Sequence, residues 1–250
     1  MHSFIWFLFN ICCLLFYFIC SWFVIFLLCW FNVLKGETYV KYRFNFIDFV
    51  FDFTKVFVSD IKNRDPDTFL ETGIVIYEGW QGSGKTLSMV RDVMLLQHKY
   101  PKVKVIGNIN YLYQDQNLDT PNNLIDFTND IYGVISQIDE LGVLFNNRDF
   151  KNFDKSMLQI IFENRKCRRL LLGTVQRFKL CDSNIRIQCN EVRSCFTILG
   201  CVTGYIRKKP IFDEQGNVIK FKFLGFQLFI QTNDIRNSYD TYQVIRKMKE

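Results

Sequence analysis

The sequence predicts an α/β protein with a mainly parallel sheet, preceded by one apolar helix and followed by a β-hairpin extension. The first observation is a segment from Ser3 to Leu34 without a charged side chain, so all 31 Lys and Arg residues follow it. The second is a glycine-rich motif, Gly79 to Thr86, between a β-branched run and an amphipathic run. The third is a stretch of alternating apolar residues, Lys220 to Ile230, that is typical of a half-buried strand.

Composition limits the class of protein. The 250 residues are 49% hydrophobic and 22% charged, with a net charge of +6, which excludes a disordered or fibrous chain. The five cysteines after Leu34 form no C-x-x-C pair and no grouping with histidine, so we expect free thiols in a reducing compartment. The expected divisions are a transmembrane helix (1–34), an amphipathic segment and linker (35–70), a nucleotide-binding core (71–192) and a β-rich extension (193–250).

The uncharged first segment predicts one transmembrane helix. A bilayer core needs about 20 apolar residues in a helix, and this segment is longer, yet too short for two spans. A cleaved signal peptide is the alternative, but the basic start and small-residue cleavage site typical of one are missing. Because Lys35, Lys41 and Arg43 follow the segment, we expect the remainder of the chain to lie in the cytoplasm.

The next segment, Lys41 to Ser59, is rich in phenylalanine. Its polar residues recur at alternating steps of four and three, which predicts a helix with one narrow polar stripe. Such a helix fits the membrane interface, although packing on the soluble part or pairing as a strand is an equal alternative. The polar stretch from Asp60 to Glu71 is expected to be a linker.

The most specific signal is the motif G-x-x-x-x-G-K-[ST], a phosphate-binding loop (P-loop). It lies between a short strand, Ile74 to Tyr77, and an apolar helical pattern from Leu87 to His98. Its glycines let backbone N–H groups converge on phosphate oxygens, its lysine neutralises the β- and γ-phosphates, and its threonine hydroxyl binds Mg²⁺. The predicted nucleotide contacts are Gly79, Gln81, Gly82, Ser83, Gly84, Lys85 and Thr86.

A P-loop needs an acidic partner at the end of another strand. Val134 to Glu140 supplies one, with Asp139 expected to hold Mg²⁺ and Glu140 expected to polarise the attacking water. The pair favours an ATPase over a kinase or GTPase. Ser136 and Gln137 interrupt the apolar strand, and an ordinary helix N-terminus is the alternative for the acidic pair.

Further candidates follow another apolar strand, Leu170 to Val175. Gln176 comes directly after it, where a polar side chain can contact the γ-phosphate or its water, with a surface glutamine as the alternative. Basic residues cluster at Arg165 to Arg169 and at Arg186. One of them is a candidate arginine finger for a neighbouring subunit, several are candidates for a nucleic-acid path, and a solvated basic face is the alternative.

The order of these motifs resembles the zonular occludens toxin-like (Zot-like) family, the assembly and export ATPases of filamentous phages within the FtsK–HerA superfamily. The resemblance covers Gly73 to Tyr242. After the P-loop and the Asp-Glu pair, the matching positions are Val105 to Asn108, Phe145 with Arg148, Arg165-Lys166, Thr174 to Gln176, Asp182 to Arg186 and Tyr239 to Tyr242.

The resemblance implies ATP and Mg²⁺ as cofactors and catalytic roles for Lys85, Glu140 and Gln176, with Arg165 and Arg186 at finger or interface positions. It also implies a homo-oligomer, expected to be a hexamer, in the host inner membrane, acting on viral coat proteins or single-stranded DNA through an envelope channel. Many family members place the transmembrane segment after the ATPase domain, whereas here it comes first. Two alternatives stay open: a DNA translocase or packaging motor, and a membrane scaffold that binds ATP without hydrolysis.

Overall fold

The structure, a computed structural model, describes residues 2–31, 45–141 and 164–240. The chain divides into two compact units, Met1–Pro66 and Asp67–Glu250, and this division falls inside the segment expected to be a linker. The predicted family positions Phe145, Arg148 and Tyr242 lie outside the described residues. The four expected sequence divisions stay predictions.

The described residues of the first unit form two helices, α1 (His2–Trp30) and α2 (Phe46–Asn63). Asn45 caps α2, because its side chain accepts a 3.1 Å hydrogen bond from the Ile47 N–H. The Trp22 indole donates to the buried Thr54 hydroxyl at 3.1 Å and so ties α1 to α2. The predicted helix in the Phe-rich segment is confirmed over Phe46 to Ser59, and the strand alternative is wrong there. The helix continues through Asn63, so Asp60 to Asn63 are helical where a linker was expected.

Among the described residues, no helix is both long and apolar enough to cross a membrane. The transmembrane helix expected over residues 1–34 is therefore not supported by the structure, and it stays a prediction from the sequence.

The second unit is built on one sheet of eight strands. In space the order is β3-β2-β4-β5-β1-β6-β7-β8, with β1 to β6 joined in parallel and β7 and β8 added antiparallel. The predicted parallel core is thus confirmed. The strands are β1 (Gly73–Glu78), β2 (Lys104–Gly107), β3 (Gln116–Asn117), β4 (Val134–Ile138), β5 (Arg169–Val175), β6 (Cys189–Ile198), β7 (Val202–Phe212) and β8 (Val218–Ile230).

Helices connect these strands. The longest is α3 (Lys85–Lys99), which directly follows the P-loop, while α4 (Pro121–Asp126), α5 (Ser183–Gln188) and α6 (Asn233–Asn237) are each one or two turns long. Two short 3-10 turns precede β4 and α5, at Asp130–Tyr132 and Phe178–Leu180.

The sheet is buried on both faces near β1, as expected for parallel strands. On one face, Met89, Val90 and Val93 of α3 pack in one cluster with Tyr77 and Leu172 of the sheet. The other face packs in a second cluster that includes Ile76, Leu171, Phe178, Ile185 and Val192. Ser136 and Gln137 are also fully buried in β4, between β2 and β5, so these polar residues do not exclude a central strand.

The C-terminal extension continues the main sheet. The expected hairpin is present as β7 and β8, joined by a turn at Asp213 to Asn217. Within this turn the Asp213 N–H donates to the Asn217 carbonyl at 2.9 Å, and the Asn217 N–H donates to the Asp213 side chain at 2.6 Å. β6 pairs in parallel with β1, and β7 and β8 follow it as antiparallel strands. The extension therefore forms one edge of the same sheet.

Candidate nucleotide-binding site

The P-loop connects the end of β1 to the start of α3. Gly82 and Gly84 have φ values of 78° and 83°, a left-handed conformation that glycine adopts without strain. A Cβ atom on Gly84 would lie 2.7 Å from the Thr203 Cγ2 atom, so the close approach of β7 also requires glycine. The glycine spacing of the motif therefore follows from backbone geometry and from packing against the antiparallel part of the sheet.

The N-terminus of α3 opens toward this loop. Free N–H groups and the helix dipole make such an end attractive to phosphate. The Lys85 ammonium donates a 3.0 Å hydrogen bond to the Trp80 carbonyl, which folds the side chain back on its own loop. A phosphate at the helix end would compete with this single carbonyl for the lysine.

The hydroxyl of Thr86 lies next to the acidic pair that follows β4. Thr86 Oγ1 donates to Asp139 Oδ1 at 3.0 Å, although the two residues are 53 positions apart. Both atoms are hard oxygen donors of the kind that Mg²⁺ binds, usually together with phosphate oxygens and water. Among the described residues there is no cluster of three or more His, Cys, Asp and Glu that could hold a metal ion.

Two residues from neighbouring strands hold Asp139. The Asn108 side chain, just after β2, accepts from the Asp139 N–H at 2.8 Å and donates to the Asp139 carbonyl at 3.0 Å. The hydroxyl of Thr174, on β5, donates to Asp139 Oδ1. Asn108 thus fixes the Asp139 backbone from the β2 side, and Thr174 fixes its carboxylate from β5; β2 and β5 flank β4 in the sheet.

Glu140 lies beside Asp139 at the same edge of the sheet. Its N–H donates to the Thr174 hydroxyl at 2.9 Å, and its side chain is exposed. Its φ of 52° is unusual for a residue with a Cβ, and such backbone conformations occur frequently at functional sites. Thr174 therefore positions both acidic residues.

Lys85, Thr86 and Asp139 meet at a cleft of about 280 Å³. β7 contributes no lining residue, but the ends of β6 and β8 and the chain after α6 do, so the antiparallel extension completes the cleft. Tyr239 is held there by a bridge to Tyr111. The lining residues are Gly82, Gly84, Lys85, Thr86, Leu87, Ile109, Asp139, Thr197, Gln231, Tyr239 and Asp240.

The remaining predicted residues lie outside this lining. Gln176 directly follows β5 and its side chain is exposed. Arg165 is also exposed, whereas Arg186 of α5 donates to the Lys179 carbonyl at 3.2 Å. The structure thus brings the P-loop and Asp139 together, and it places Glu140, Gln176, Arg165 and Arg186 outside the cleft lining.

A buried polar network anchors α3 behind the cleft. The carboxylate of Asp92 accepts from the hydroxyls of Tyr77 and Tyr205, each at 2.8 Å, and from Arg193 at 2.6 Å. Burial raises the pKa of the Tyr77 phenol well above its usual range, so Tyr77 remains a donor at neutral pH. Through Asp92 the P-loop helix is joined to β1, β6 and β7.

Sequence reasoning missed Asn108 and Thr174 as holders of Asp139, and it missed the Asp92 network. Asn108 and Thr174 both stand at the ends of predicted strands, which is the signal that could have found them. Arg177 was also missed, and its guanidinium lies 4.8 Å from the ring centroid of the exposed Trp80 in the P-loop.

Comparisons with known proteins give structural likenesses only. No protein-family model matches the chain. No curated protein matches it either.

Among solved structures, the chain is similar to the N-terminal domain of zonular occludens toxin from Neisseria meningitidis, with 16% identity, a TM-score of 0.48 and coverage of 68% of this chain and 100% of that one. It is also similar to the genome packaging NTPase B204 from Sulfolobus turreted icosahedral virus 2 in complex with AMP (15% identity, TM-score 0.37, 54% of this chain and 78% of that one). A third is the flagellar accessory protein FlaH from Methanocaldococcus jannaschii (14% identity, TM-score 0.38, 64% and 90%). A domain of the Zot-like family, whose resemblance was predicted from the order of the motifs, is thus among the similar structures.

Proposed function

We propose that this chain is a Mg²⁺-dependent ATPase. The observation that carries the proposal is the 3.0 Å contact between Thr86 Oγ1 and Asp139 Oδ1, beside Lys85 and the N-terminus of α3. A phosphate-binding loop, a lysine, a hydroxyl and a carboxylate meet in one cleft, and each is a group that phosphoryl transfer from ATP requires.

The chain binds the nucleotide through its phosphates. The N–H groups of the loop and of the first turn of α3 receive the β- and γ-phosphates. Lys85 leaves the Trp80 carbonyl and pairs with phosphate oxygens, where it stabilises the charge that develops during transfer. Gly82 and Gly84 present no side chain between the backbone and the phosphates.

Thr86 and Asp139 are the residues that would hold Mg²⁺, which when bound neutralises charge on the phosphate oxygens. Glu140 orients a water molecule for in-line attack on the γ-phosphorus and accepts its proton. A new P–O bond forms to the water oxygen as the bond to the β–γ bridging oxygen breaks, which gives ADP and inorganic phosphate. Gln176 is the residue expected to contact this water. Because Gln176 lies outside the cleft lining, the end of β5 would have to move toward the nucleotide for that contact to form.

The cellular role that we propose is virus assembly or packaging. Its support is the order of motifs from Gly73 to Tyr242, which resembles the filamentous-phage assembly ATPases. A ring of subunits, expected to be a hexamer, would let an arginine of one subunit complete the site of its neighbour. Arg165 is the better candidate, because its side chain is exposed, whereas Arg186 is bonded to the Lys179 carbonyl.

Membrane attachment through residues 1–34 is part of the proposal. Its support is the absence of charge from Ser3 to Leu34 and the exposure of apolar side chains on α1, among them Leu14, Phe16 and Ile19. With Lys35 and Lys41 after this segment, the ATPase unit would face the cytoplasm of the host. Carbonate extraction of host membranes tests this, since an inserted chain stays in the membrane pellet and a peripheral chain is released.

ATP turnover by the detergent-solubilised full-length chain tests the enzymatic proposal. We expect Mg²⁺-dependent phosphate release that falls by more than about 100-fold in Lys85→Ala and in Glu140→Gln. Glu214→Gln is the matched control, because this exposed glutamate lies in the β7–β8 turn. Turnover that survives in both site variants would overturn the proposal.

A further inference from the structure

The tip of the β7–β8 hairpin presents four cations on one face, here called the basic face: Arg207, Lys209, Lys220 and Lys222. In the antiparallel register Lys209 stands opposite Lys222, and Ile211 stands opposite Lys220. Because side chains alternate between the two faces of a strand, these residues share one face. Phe221 and Phe223 fall on the other.

Two lysines directly opposite each other destabilise a sheet. Lys209, Lys220 and Lys222 are all exposed, and among residues 2–31, 45–141 and 164–240 no carboxylate forms an ion pair with any of them. The hairpin therefore concentrates positive charge that these parts of the chain do not neutralise.

A second pair of like charges along β7, Arg193 and Arg207, has a carboxylate partner. Arg193 of β6 stands opposite Arg207, which again places like charges together. Here Glu191 bridges them, with Oε1 2.7 Å from Arg193 Nε and Oε2 2.7 Å from Arg207 Nη2. The fold supplies a carboxylate for the arginine pair and leaves the adjacent lysine pair without one. An external anion would form ion pairs with Lys209 and Lys222, as Glu191 does with Arg193 and Arg207.

The arrangement of the cations favours a polyanion. Residues on one face of a strand repeat every ~6.6 Å and adjacent strands lie ~4.8 Å apart, so Lys209, Lys222 and Lys220 stand at neighbouring positions spaced by about 5 to 7 Å. A nucleic-acid backbone presents repeated phosphates in the same way. A lipid surface would also need exposed apolar side chains that insert beside the cations; Phe221 and Phe223 lie on the opposite face, and Ile211, which shares the basic face, is only partly exposed.

We propose that the basic face binds the phosphate backbone of nucleic acid without reading its sequence. It lies at the end of the sheet away from the cleft, because β7 starts beside the P-loop and runs to the distal turn at Asp213. The binding site needs no turnover. This proposal depends on the proposed function only where it names nucleic acid as the class of cargo that the ATPase would move.

The test is fluorescence anisotropy of the detergent-solubilised full-length chain with a labelled single-stranded DNA of mixed sequence. The test variant combines Lys209→Gln, Lys220→Gln and Lys222→Gln. The control combines Lys55→Gln, Lys104→Gln and Lys179→Gln, which removes the same charge elsewhere. ATP turnover without DNA is measured for every variant, together with binding to vesicles that contain phosphatidylserine.

We expect the test variant to bind DNA at least about tenfold more weakly than the control variant. The slope of log affinity against log salt should fall by about 2, at roughly 0.7 for each lost phosphate contact on a single strand. Equal DNA affinity of the test and control variants overturns the proposal, as does loss of vesicle binding with DNA binding retained. If DNA binding is lost as expected while no variant hydrolyses ATP, the proposed function fails and the basic face stands. If ATP turnover is normal and the test variant binds DNA as tightly as the control variant, the proposed function stands and the basic-face proposal fails.

Discussion

Thr86 Oγ1 and Asp139 Oδ1 lie 3.0 Å apart, which joins the first turn of the P-loop helix to the end of β4. The contact depends on the strand order, because β5 lies between β1 and β4 and still leaves both strand ends at one edge of the sheet. From the two flanking strands, Asn108 holds the Asp139 backbone and Thr174 donates to its carboxylate. The pair therefore defines where a metal ion and the phosphates of a nucleotide would meet.

Thr174→Val should lower Mg²⁺-dependent ATP turnover by about 10- to 100-fold, as is typical when a partner of a metal ligand is lost. Valine keeps the shape of threonine, but it cannot donate to Asp139 or accept from the Glu140 N–H. The measurement is steady-state phosphate release as a function of Mg²⁺ concentration. Thr128→Val, at an exposed position, is the control. An unchanged Mg²⁺ dependence in Thr174→Val would show that Thr174 does not position Asp139.

Asp92→Asn should destabilise the second unit by about 3 kcal/mol, because it leaves the buried Arg193 without one of its two carboxylate partners. Urea unfolding followed by circular dichroism measures this loss. Asp126→Asn removes an exposed carboxylate and should change the free energy of unfolding by less than about 0.5 kcal/mol. Equal stability of the two variants would contradict a structural role for the Asp92 network.

Glu191 predicts a dependence of stability on acid pH. Burial alone would raise the pKa of Glu191, but the guanidinium groups of Arg207 and Arg193 outweigh burial and hold it below its ordinary value of 4.5. Its contribution to stability is therefore complete above pH 4.5 and is lost as the pH falls through the lower folded-state pKa. Glu191→Gln should be less stable than the natural chain at pH 7, and this difference should shrink in acid. A difference that does not vary with pH would contradict the ion pairs.

The cysteines should differ sharply in reactivity. Burial raises the pKa of the Cys181 and Cys195 thiols to about 12, whereas Cys201 is exposed. N-ethylmaleimide at neutral pH should therefore modify Cys201 more than about tenfold faster than the other two. Mass spectrometry of timed digests measures the three rates, and labelling in urea should make them equal. Rapid labelling of Cys195 in the folded chain would contradict the packing of β6.

The P-loop region was predictable because its signal is local. The glycine spacing, the strand before it and the helix after it are all contiguous in sequence, and the structure places β1 and α3 accordingly. Ser136 and Gln137 weakened the prediction of β4, yet β4 pairs with β2 on one side and β5 on the other, and both side chains are fully buried.

The supports of the site were not predictable in the same way. Asn108 meets Asp139 across 31 residues, and Arg193 meets Asp92 across 101. Such contacts follow from strand order, which no local pattern encodes. The position of Gln176 after β5 was predictable from the local pattern. The lining of the cleft by Thr197, Gln231 and Tyr239 of the C-terminal extension was not, because it also depends on strand order.

The most direct test is the effect of Mg²⁺ on ATP affinity in the Glu140→Gln chain, which is expected to bind without turnover. Calorimetric titration with Mg²⁺ and with chelator should give affinities that differ by at least about tenfold, since Thr86 and Asp139 are proposed to share the ion with the phosphates. Adding Asp139→Asn should abolish this difference. Equal ATP affinity with and without Mg²⁺ in Glu140→Gln would contradict the assignment of Thr86 and Asp139 as the metal site.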